Sequence, residues 1–238
     1  MENVDILAIA AHPDDIELTC AGTLIKAVSQ GYSVGILDLT EGEMGTRGTP
    51  KLRAEEAEAA RAVIGAKFRE TMNLGDARLT SSIENRMAVA EMIRQARPRT
   101  VILHHWEARH PDHAASAKLA YEACYAAGLK QLPIPGQPFR PKKIIYASLE
   151  SDLRPSFVVD ISAQFPKKME AVNCFASQFL GDASAITEIF PAWGRLLDRV
   201  TTQCKYYGHL AGVDYAEPFI VREVMAVEDV VTLPVASI

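Results

Sequence analysis

Four short apolar runs, each followed by a longer stretch of helical periodicity, fill the first half of this chain and leave few folds open to it. Val4 to Ala11 is apolar apart from Asp5, Ser33 to Leu39 reads SVGILDL, Phe68 to Leu74 is more mixed, and Thr100 to His104 reads TVILH. Near-continuous apolar runs suit strands covered on both faces of a parallel sheet; a sheet with one wet face would alternate instead. Between the runs, Glu17 to Gln30 places Leu18, Ala21, Leu24, Ile25 and Val28 on one helical face and ends at Gly31. Lys51 to Ile64 is helical and closed by Gly65. Ser82 caps a helix in which Ile83, Met87, Ala90 and Ile93 share a face, with Pro98 past its end, and a further helix runs from Pro111 towards Ala127. The β-α-β-α-β-α-β-α order predicts an α/β fold: a Rossmann-like, doubly wound, mostly parallel sheet with helices on both faces.

The second half is less regular. Gln131 to Pro141 carries four prolines and reads as an extended connection, a surface crossing or a flap. Lys143 to Ser148 and Phe157 to Ile161 look like strands, Ala163 to Tyr207 is mostly helical with a break around Gly181 and Pro191, and Phe219 to Val227 is a candidate last strand. The 238 residues suit a single domain, 1–238, with a βα core over 1–128 and a looser part over 129–238.

A net charge of −5 disfavours nucleic acid as a partner, because phosphate binding needs a basic face. The N-terminal apolar stretch is too short for a signal peptide or a membrane span, so the expected address is the cytoplasm, with no membrane partner. Cys20, Cys124, Cys174 and Cys204 are scattered, with no CxxC pair, so neither a disulfide framework nor a thiolate metal site is expected. Any metal must be held by imidazole and carboxylate.

Those side chains cluster in two turns. The first strand runs into His12-Pro13-Asp14-Asp15, and the fourth leads to His110-Pro111-Asp112-His113. Proline at a first helical position and acid in a first turn are ordinary helix-start chemistry. A single such turn would mean no more than that. In a doubly wound sheet, however, ligands bind at the carboxyl ends of the strands where strand order reverses, and strands one and four flank that point in the common arrangement. Both turns then face one crevice.

Spacing assigns roles. Residues three apart in a first turn point the same way, so His12 pairs with Asp15 and His110 with His113. A catalytic zinc site needs three protein ligands and an open position, and His12, Asp15 and His113 supply two imidazoles and a carboxylate, apt for Zn²⁺ or another borderline divalent ion. Asp14 is left to take a proton from water. His110, as an imidazolium, is left to stabilise an oxyanion and protonate a leaving amine. Asp112 is placed to orient His110 and keep it protonated, or simply to suit the helix dipole. His104 reads as a satisfied core residue and His105 as a supporting group. Tyr206 and Tyr207 read as packing residues, and His209 as structural or interfacial. No G-x-G-x-x-G, P-loop or G-x-S-x-G elbow is present.

The A-H-P-D-D-x-E of Ala11 to Glu17, the T-E-G-E-M-G-T-R-G-T of Thr40 to Thr49 and the H-P-D-H of His110 to His113 together resemble the LmbE-like (PIG-L) family of zinc-dependent N-acetylglucosamine deacetylases. Within it the chain is most similar to the bacillithiol-biosynthesis branch, which removes acetate from N-acetylglucosaminyl malate. Arg53, the S-Q-F of Ser177 to Phe179 and the A-E-P-F of Ala216 to Phe219 extend the likeness along most of the chain. The resemblance implies the same ligands and the same roles for Asp14 and His110, and it implies that Arg53 reaches the substrate. Arg109 is a second candidate for malate. It also implies zinc (with Fe²⁺ open), a small sugar conjugate as partner and a homo-oligomer, a hexamer in the malate branch. The run Cys204 to His209 is less basic and aromatic than that branch, so a chitobiose-like or mycothiol-like conjugate stays open. So does a non-catalytic sugar- or nucleotide-binding module.

Overall fold

A computed structural model of the chain describes residues 2–149, 153–179, 194–233 and 235. Its first half follows the expected alternation: β1 (Ile6–Ala10), α1 (Asp15–Thr19), α2 (Ala21–Ser29), β2 (Val34–Asp38), α3 (Pro50–Ile64), β3 (Phe68–Thr71), α4 (Ile83–Ala96), β4 (Thr100–His104) and α5 (Pro111–Ala127). The second half adds β5 (Lys143–Ala147), β6 (Phe157–Asp160), α6 (Phe165–Asn173), α7 (Ala176–Phe179), α8 (Gly194–Ala211) and β7 (Ala216–Ile220). One seven-stranded sheet runs through both halves in the order β3-β2-β1-β4-β5-β7-β6. The strands from β3 to β5 are parallel, while β7 pairs antiparallel with both β5 and β6. The fold is Rossmann-like, and the order reverses between β1 and β4 as the turn chemistry required.

Alternation along the buried strands builds two cores. Leu7, Ile9, Val101 and Leu103 face α4 and α5 through Val89, Ile93, Leu119 and Ala123. Ala8, Ala10, Ile36 and Ile102 face the other way, towards Ile16, Leu24 and Ile25 of α1 and α2 and Ile64 of α3. Ser82 and Thr49 cap α4 and α3 by accepting from Asn85 N–H and Leu52 N–H. Arg97, in the left-handed region at φ 46°, closes α4 just before Pro98.

Two boundaries differ from the sequence reading. The single helix expected over Glu17 to Gln30 is broken at Cys20, which has φ −144°. The break is made from a distance. Lys168 Nζ donates to Glu17 O and Leu18 O (3.0 Å each), taking up carbonyls at the end of α1. Glu217 accepts from Gly22 N–H (3.0 Å), Thr23 N–H (2.7 Å) and the Thr23 hydroxyl (2.6 Å) at the start of α2. The two side chains also pair with each other at 2.7 Å, fully buried. Orphan groups of two helix ends are thereby satisfied by one ion pair. The last strand is Ala216–Ile220 rather than Phe219 to Val227, because the A-E-P-F run must enter the sheet to carry Glu217 there. The expected break around Gly181 and Pro191 lies outside the described residues.

Removing one partner of a buried pair strands the other charge. Lys168→Met is therefore expected to cost roughly 3–5 kcal/mol in urea denaturation, and Lys168→Met combined with Glu217→Gln to recover part of that loss.

Candidate metal centre

The turn after β1 is strained. Asp14 is the N-cap of α1 at φ 118° and ψ −25°, a conformation that non-glycine residues adopt at a cost and chiefly where function requires it. Arg53 holds it. From α3 the guanidinium donates to Pro13 O (2.5 Å), to Asp14 Oδ2 (3.1 Å) and to Gly42 O (3.1 Å). The residue expected to reach substrate is 5% exposed: Nη1 and Nη2 hold this turn, and Nε is buried with no hydrogen-bond partner among the described residues. Gly42 makes the approach possible. Its φ is +64°, and a Cβ there would lie 2.0 Å from Arg53 Nη1.

Asp15 starts α1 and stands between imidazoles. Its Oδ2 accepts from His12 N–H (2.8 Å) and lies 3.3 Å from His12 Nδ1 and 3.1 Å from His104 Nε2, while Oδ1 lies 3.1 Å from His113 Nε2. Burial pushes this carboxyl up, but His113 and His104 outweigh it and hold Asp15 well below the usual carboxylate range. His104, at the end of β4, is buried and stacks on His113 at 4.2 Å and 5°. Burial, then the neighbouring His113, pushes its pKa down to about 4. It is a satisfied interior histidine, as expected, but what satisfies it belongs to the site.

The other edge of His12 meets two more carboxylates. Its Nε2 is 3.1 Å from Asp76 Oδ1 and 3.4 Å from Asp112 Oδ2. Asp76 sits in the loop after β3, buried, and its Oδ2 accepts from Met44 N–H at 2.9 Å. Nothing in its sequence surroundings marked it; only the pairing of β3 at the sheet edge brings that loop to the crevice. With four acids nearby, the imidazole is strongly biased to carry charge. Burial opposes this, but Asp15 and Asp76, with Asp14 behind, raise His12 to about 11. Asp14 itself is pushed up to about 7 by burial, which Arg53 opposes and Asp15 reinforces.

His110 is the N-cap of α5, exposed, with its ring 5.0 Å from that of His12 and 4.7 Å from that of His113. Its relation to Asp112 differs from the expected one. The Asp112 backbone N–H, not the carboxylate, reaches His110 Nδ1 (3.2 Å), and the carboxylate accepts instead from Ala77 N–H at 2.6 Å. A ring that accepts at Nδ1 is neutral and carries its proton on Nε2. Burial, then His113 and His12, lowers its pKa, so an imidazolium is not what this arrangement favours. The loop from β4 to His110 is pinned at Trp106, which packs edge-on against Tyr146 (4.8 Å), with Arg222 stacked on the Trp106 ring at 4.4 Å. The buried His105 ring lies against Trp106 at 4.2 Å. Arg109 is exposed in this loop. Tyr207 is buried on α8 and donates to Leu153 O, a packing role as expected, whereas Tyr206 and His209 are exposed.

Ligand atoms of His12, Asp15 and His113 all lie within 4.8 Å of one another, and so do those of His12, His110 and Asp112. The donor set fits a divalent ion: two imidazoles and a carboxylate, in a pocket whose acids already pull a positive charge onto His12.

The family model for PIG-L, described as GlcNAc-PI de-N-acetylase, matches residues 7–124. Diacetylchitobiose deacetylase of Thermococcus kodakarensis is 30% identical over 89% of this chain and 80% of its own length. The chain belongs to the PIG-L family. A probable N-acetyl-alpha-D-glucosaminyl L-malate deacetylase 2 of Bacillus anthracis is 28% identical over 77% of this chain and 84% of its own. Among solved structures, the conserved protein TT1542 from Thermus thermophilus superposes with a TM-score of 0.85 at 39% identity, covering 94% of this chain and 98% of that one. The chain is also similar to 4-oxalmesaconate hydratase of Pseudomonas putida, 28% identical over 72% of this chain and 73% of its own length. No helix among the described residues is long and apolar enough to cross a membrane.

The clamp on Asp14 is testable through Gly42. Gly42→Ala combines positive-φ strain with the collision at Arg53 and is expected to cost about 2–3 kcal/mol in urea denaturation. Gly31→Ala, at φ +88° with nothing within 4 Å, is expected to cost only about 1 kcal/mol. Equal costs at the two glycines would show that Arg53 does not constrain the turn.

Proposed function

We propose that this PIG-L protein is a divalent-metal-dependent N-deacetylase acting on an N-acetylglucosamine conjugate. The observation that carries the reading is the convergence of His12, Asp15 and His113, ligand atoms within 4.8 Å of one another, beside the clamped carboxylate of Asp14. His12, Asp15 and His113 would hold the ion, with zinc the first choice and Fe²⁺ the second. When bound, the ion supplies Lewis-acid polarisation of the amide carbonyl and acidifies water.

The chain's own groups do the rest. Asp14, which Arg53 fixes in position, takes the proton of the attacking water. His110 donates from Nε2–H to the carbonyl oxygen as negative charge develops there. The C–N bond then breaks, the proton held by Asp14 passes to the leaving nitrogen, and acetate and a free amine result. Asp112 supports this from behind, giving its backbone N–H to His110 and thereby setting that ring's tautomer.

For the aglycone, malate and a second sugar are the two to compare, since relatives named for both match over most of their length. Arg53, with Nε unpartnered at the buried end of the site, and the exposed Arg109 are the two candidates for a malate carboxylate. The four free thiols support a reducing, cytoplasmic setting. Exposed apolar side chains at Val224, Met225, Val230 and Val231 support a homo-oligomer. A sugar conjugate is the only partner this reading needs.

Three measurements test it. Asp14→Ala is expected to keep its metal, by elemental analysis, and to lose about 10²–10⁴-fold in kcat for release of free amine; wild-type turnover would remove Asp14 as the base. Asp15→Ala is expected to purify without stoichiometric metal. N-acetylglucosaminyl malate, diacetylchitobiose and N-acetylglucosamine should be assayed alongside a hydratase substrate of the oxalmesaconate type. Hydration without amide cleavage would overturn the deacetylase reading.

A further inference from the structure

Three non-glycine residues among the described ones have positive φ: Asp14 (118°), Ala77 (60°) and Arg97 (46°). Arg97 ends a helix, where that conformation is routine. The other two line the centre from opposite sides. Asp14 carries the carboxylate assigned as base, and Ala77 follows Asp76 in a loop that also contains Gly75 at φ +91°. Strain at such positions persists only where the surroundings enforce it. At Ala77 the enforcing contact is visible, since its N–H donates to Asp112 Oδ2 at 2.6 Å. The conformation turns Asp76 inwards, where it is 6% exposed.

Both oxygens of Asp76 are then occupied. Oδ1 lies 3.1 Å from His12 Nε2, and Oδ2 accepts from Met44 N–H at 2.9 Å, in the loop between β2 and α3. Nδ1, the other ring nitrogen of His12, faces Asp15 at 3.3 Å, on the side shared with His113. An imidazole that gives a metal one nitrogen needs a proton on the other, and a carboxylate there fixes the tautomer and raises ligand basicity. Asp112 Oδ2 also approaches Nε2, but at 3.4 Å and with the Ala77 N–H already upon it.

We propose that Asp76 is the positioning residue of the metal centre: it accepts the Nε2 proton of His12, aims Nδ1 at the ion, and ties the Met44 loop to that ligand. This rests on the metal reading above. Asp76 touches neither the ion nor the reacting atoms in this role, so its removal weakens metal binding rather than abolishing chemistry in the loaded protein.

The test uses the full chain, stripped with dipicolinate and titrated with zinc against a chromophoric competitor, as wild type, Asp76→Ala, Asp76→Asn and Asp112→Asn. Loss of such a supporting carboxylate costs about 10–100-fold in affinity. That loss is expected for Asp76→Ala, with a smaller one for Asp76→Asn and the least for Asp112→Asn. Metal-free melting temperatures report whether each variant folds, and Asp76→Asn, which keeps the shape, carries the test if Asp76→Ala does not. Long-range ¹H–¹⁵N correlations of the zinc-loaded wild type should show His12 protonated at Nε2. Tight wild-type binding with a folded Asp76 variant within twofold of it, or a Nδ1-protonated His12, overturns the assignment to Asp76 alone. No stoichiometric zinc in the wild type overturns the metal reading, and the assignment with it.

Discussion

Four carboxylates, Asp14, Asp15, Asp76 and Asp112, are brought into the neighbourhood of one buried imidazole, His12, and much of the local structure follows from the cost of keeping them there. Buried like charges repel, and each must be met by a donor or a cation. The protein meets most of them with dedicated groups: His12 N–H for Asp15, Met44 N–H for Asp76, Ala77 N–H for Asp112 and the Arg53 guanidinium for Asp14. What these leave over is a demand for positive charge at the centre. In the metal-free chain the proton on His12 answers it, and a divalent ion would answer it better.

The crowd of acids is held from below as well. Arg69 reaches from β3 to Glu17 (2.7 Å) and to Asp38 (2.6 Å), all three side chains at most 3% exposed. Glu17 is the last residue of the A-H-P-D-D-x-E run, so this acid serves the fold beneath α1. Lys168 of α6 takes up carbonyls at the other end of that short helix, and its partner Glu217 of β7 holds the start of α2. A five-residue helix has almost no stability of its own. Here Arg53 of α3 holds the turn that starts it, Lys168 of α6 takes up carbonyls at its end, and Arg69 of β3 anchors its Glu17 side chain. The C-terminal half is therefore part of the candidate site's foundation even though no proposed ligand comes from it.

Most of the architecture was legible because buried parallel strands and capped amphipathic helices announce themselves locally. The four β-α units, the cap at Ser82, the switch point between β1 and β4 and the gathering of His12, Asp15, His110 and His113 all follow from short-range pattern plus one topological rule. What escaped depends on long-range pairing. The break at Cys20 needs Lys168 and Glu217, which lie about 150 and 200 residues away. Arg53 sits on a helix 39 residues from Asp14, and only the coordinates show that it passes against Gly42 to hold that turn. Asp76 sits in the loop between β3 and α4, and nothing within that loop tells of His12. The partnership of Asp112 failed for a different reason: adjacency suggested a side-chain contact, whereas at an N-cap the backbone N–H is the nearer donor.

The two overlapping donor sets can be separated by counting protons. In His12, His110 and Asp112, the His110 ring already accepts the Asp112 N–H at Nδ1. Its remaining proton then sits on Nε2, which has no lone pair to give. Asp112 Oδ2 is held by Ala77, and the His12 nitrogen turned towards it is Nε2. Ligation there would require that nitrogen bare, with Asp76 at 3.1 Å, unscreened by a shared proton. In His12, Asp15 and His113 the same proton on Nε2 relieves Asp76 and frees Nδ1 on the side of Asp15. One proton position thus satisfies an acid and exposes a ligand in the second set, and does the opposite in the first. On the proposed reading, the tautomer of a single histidine would decide which donor set takes the ion. It leaves His110 outside the ligand set, with an N–H to donate, on the side where a carbonyl oxygen would need one.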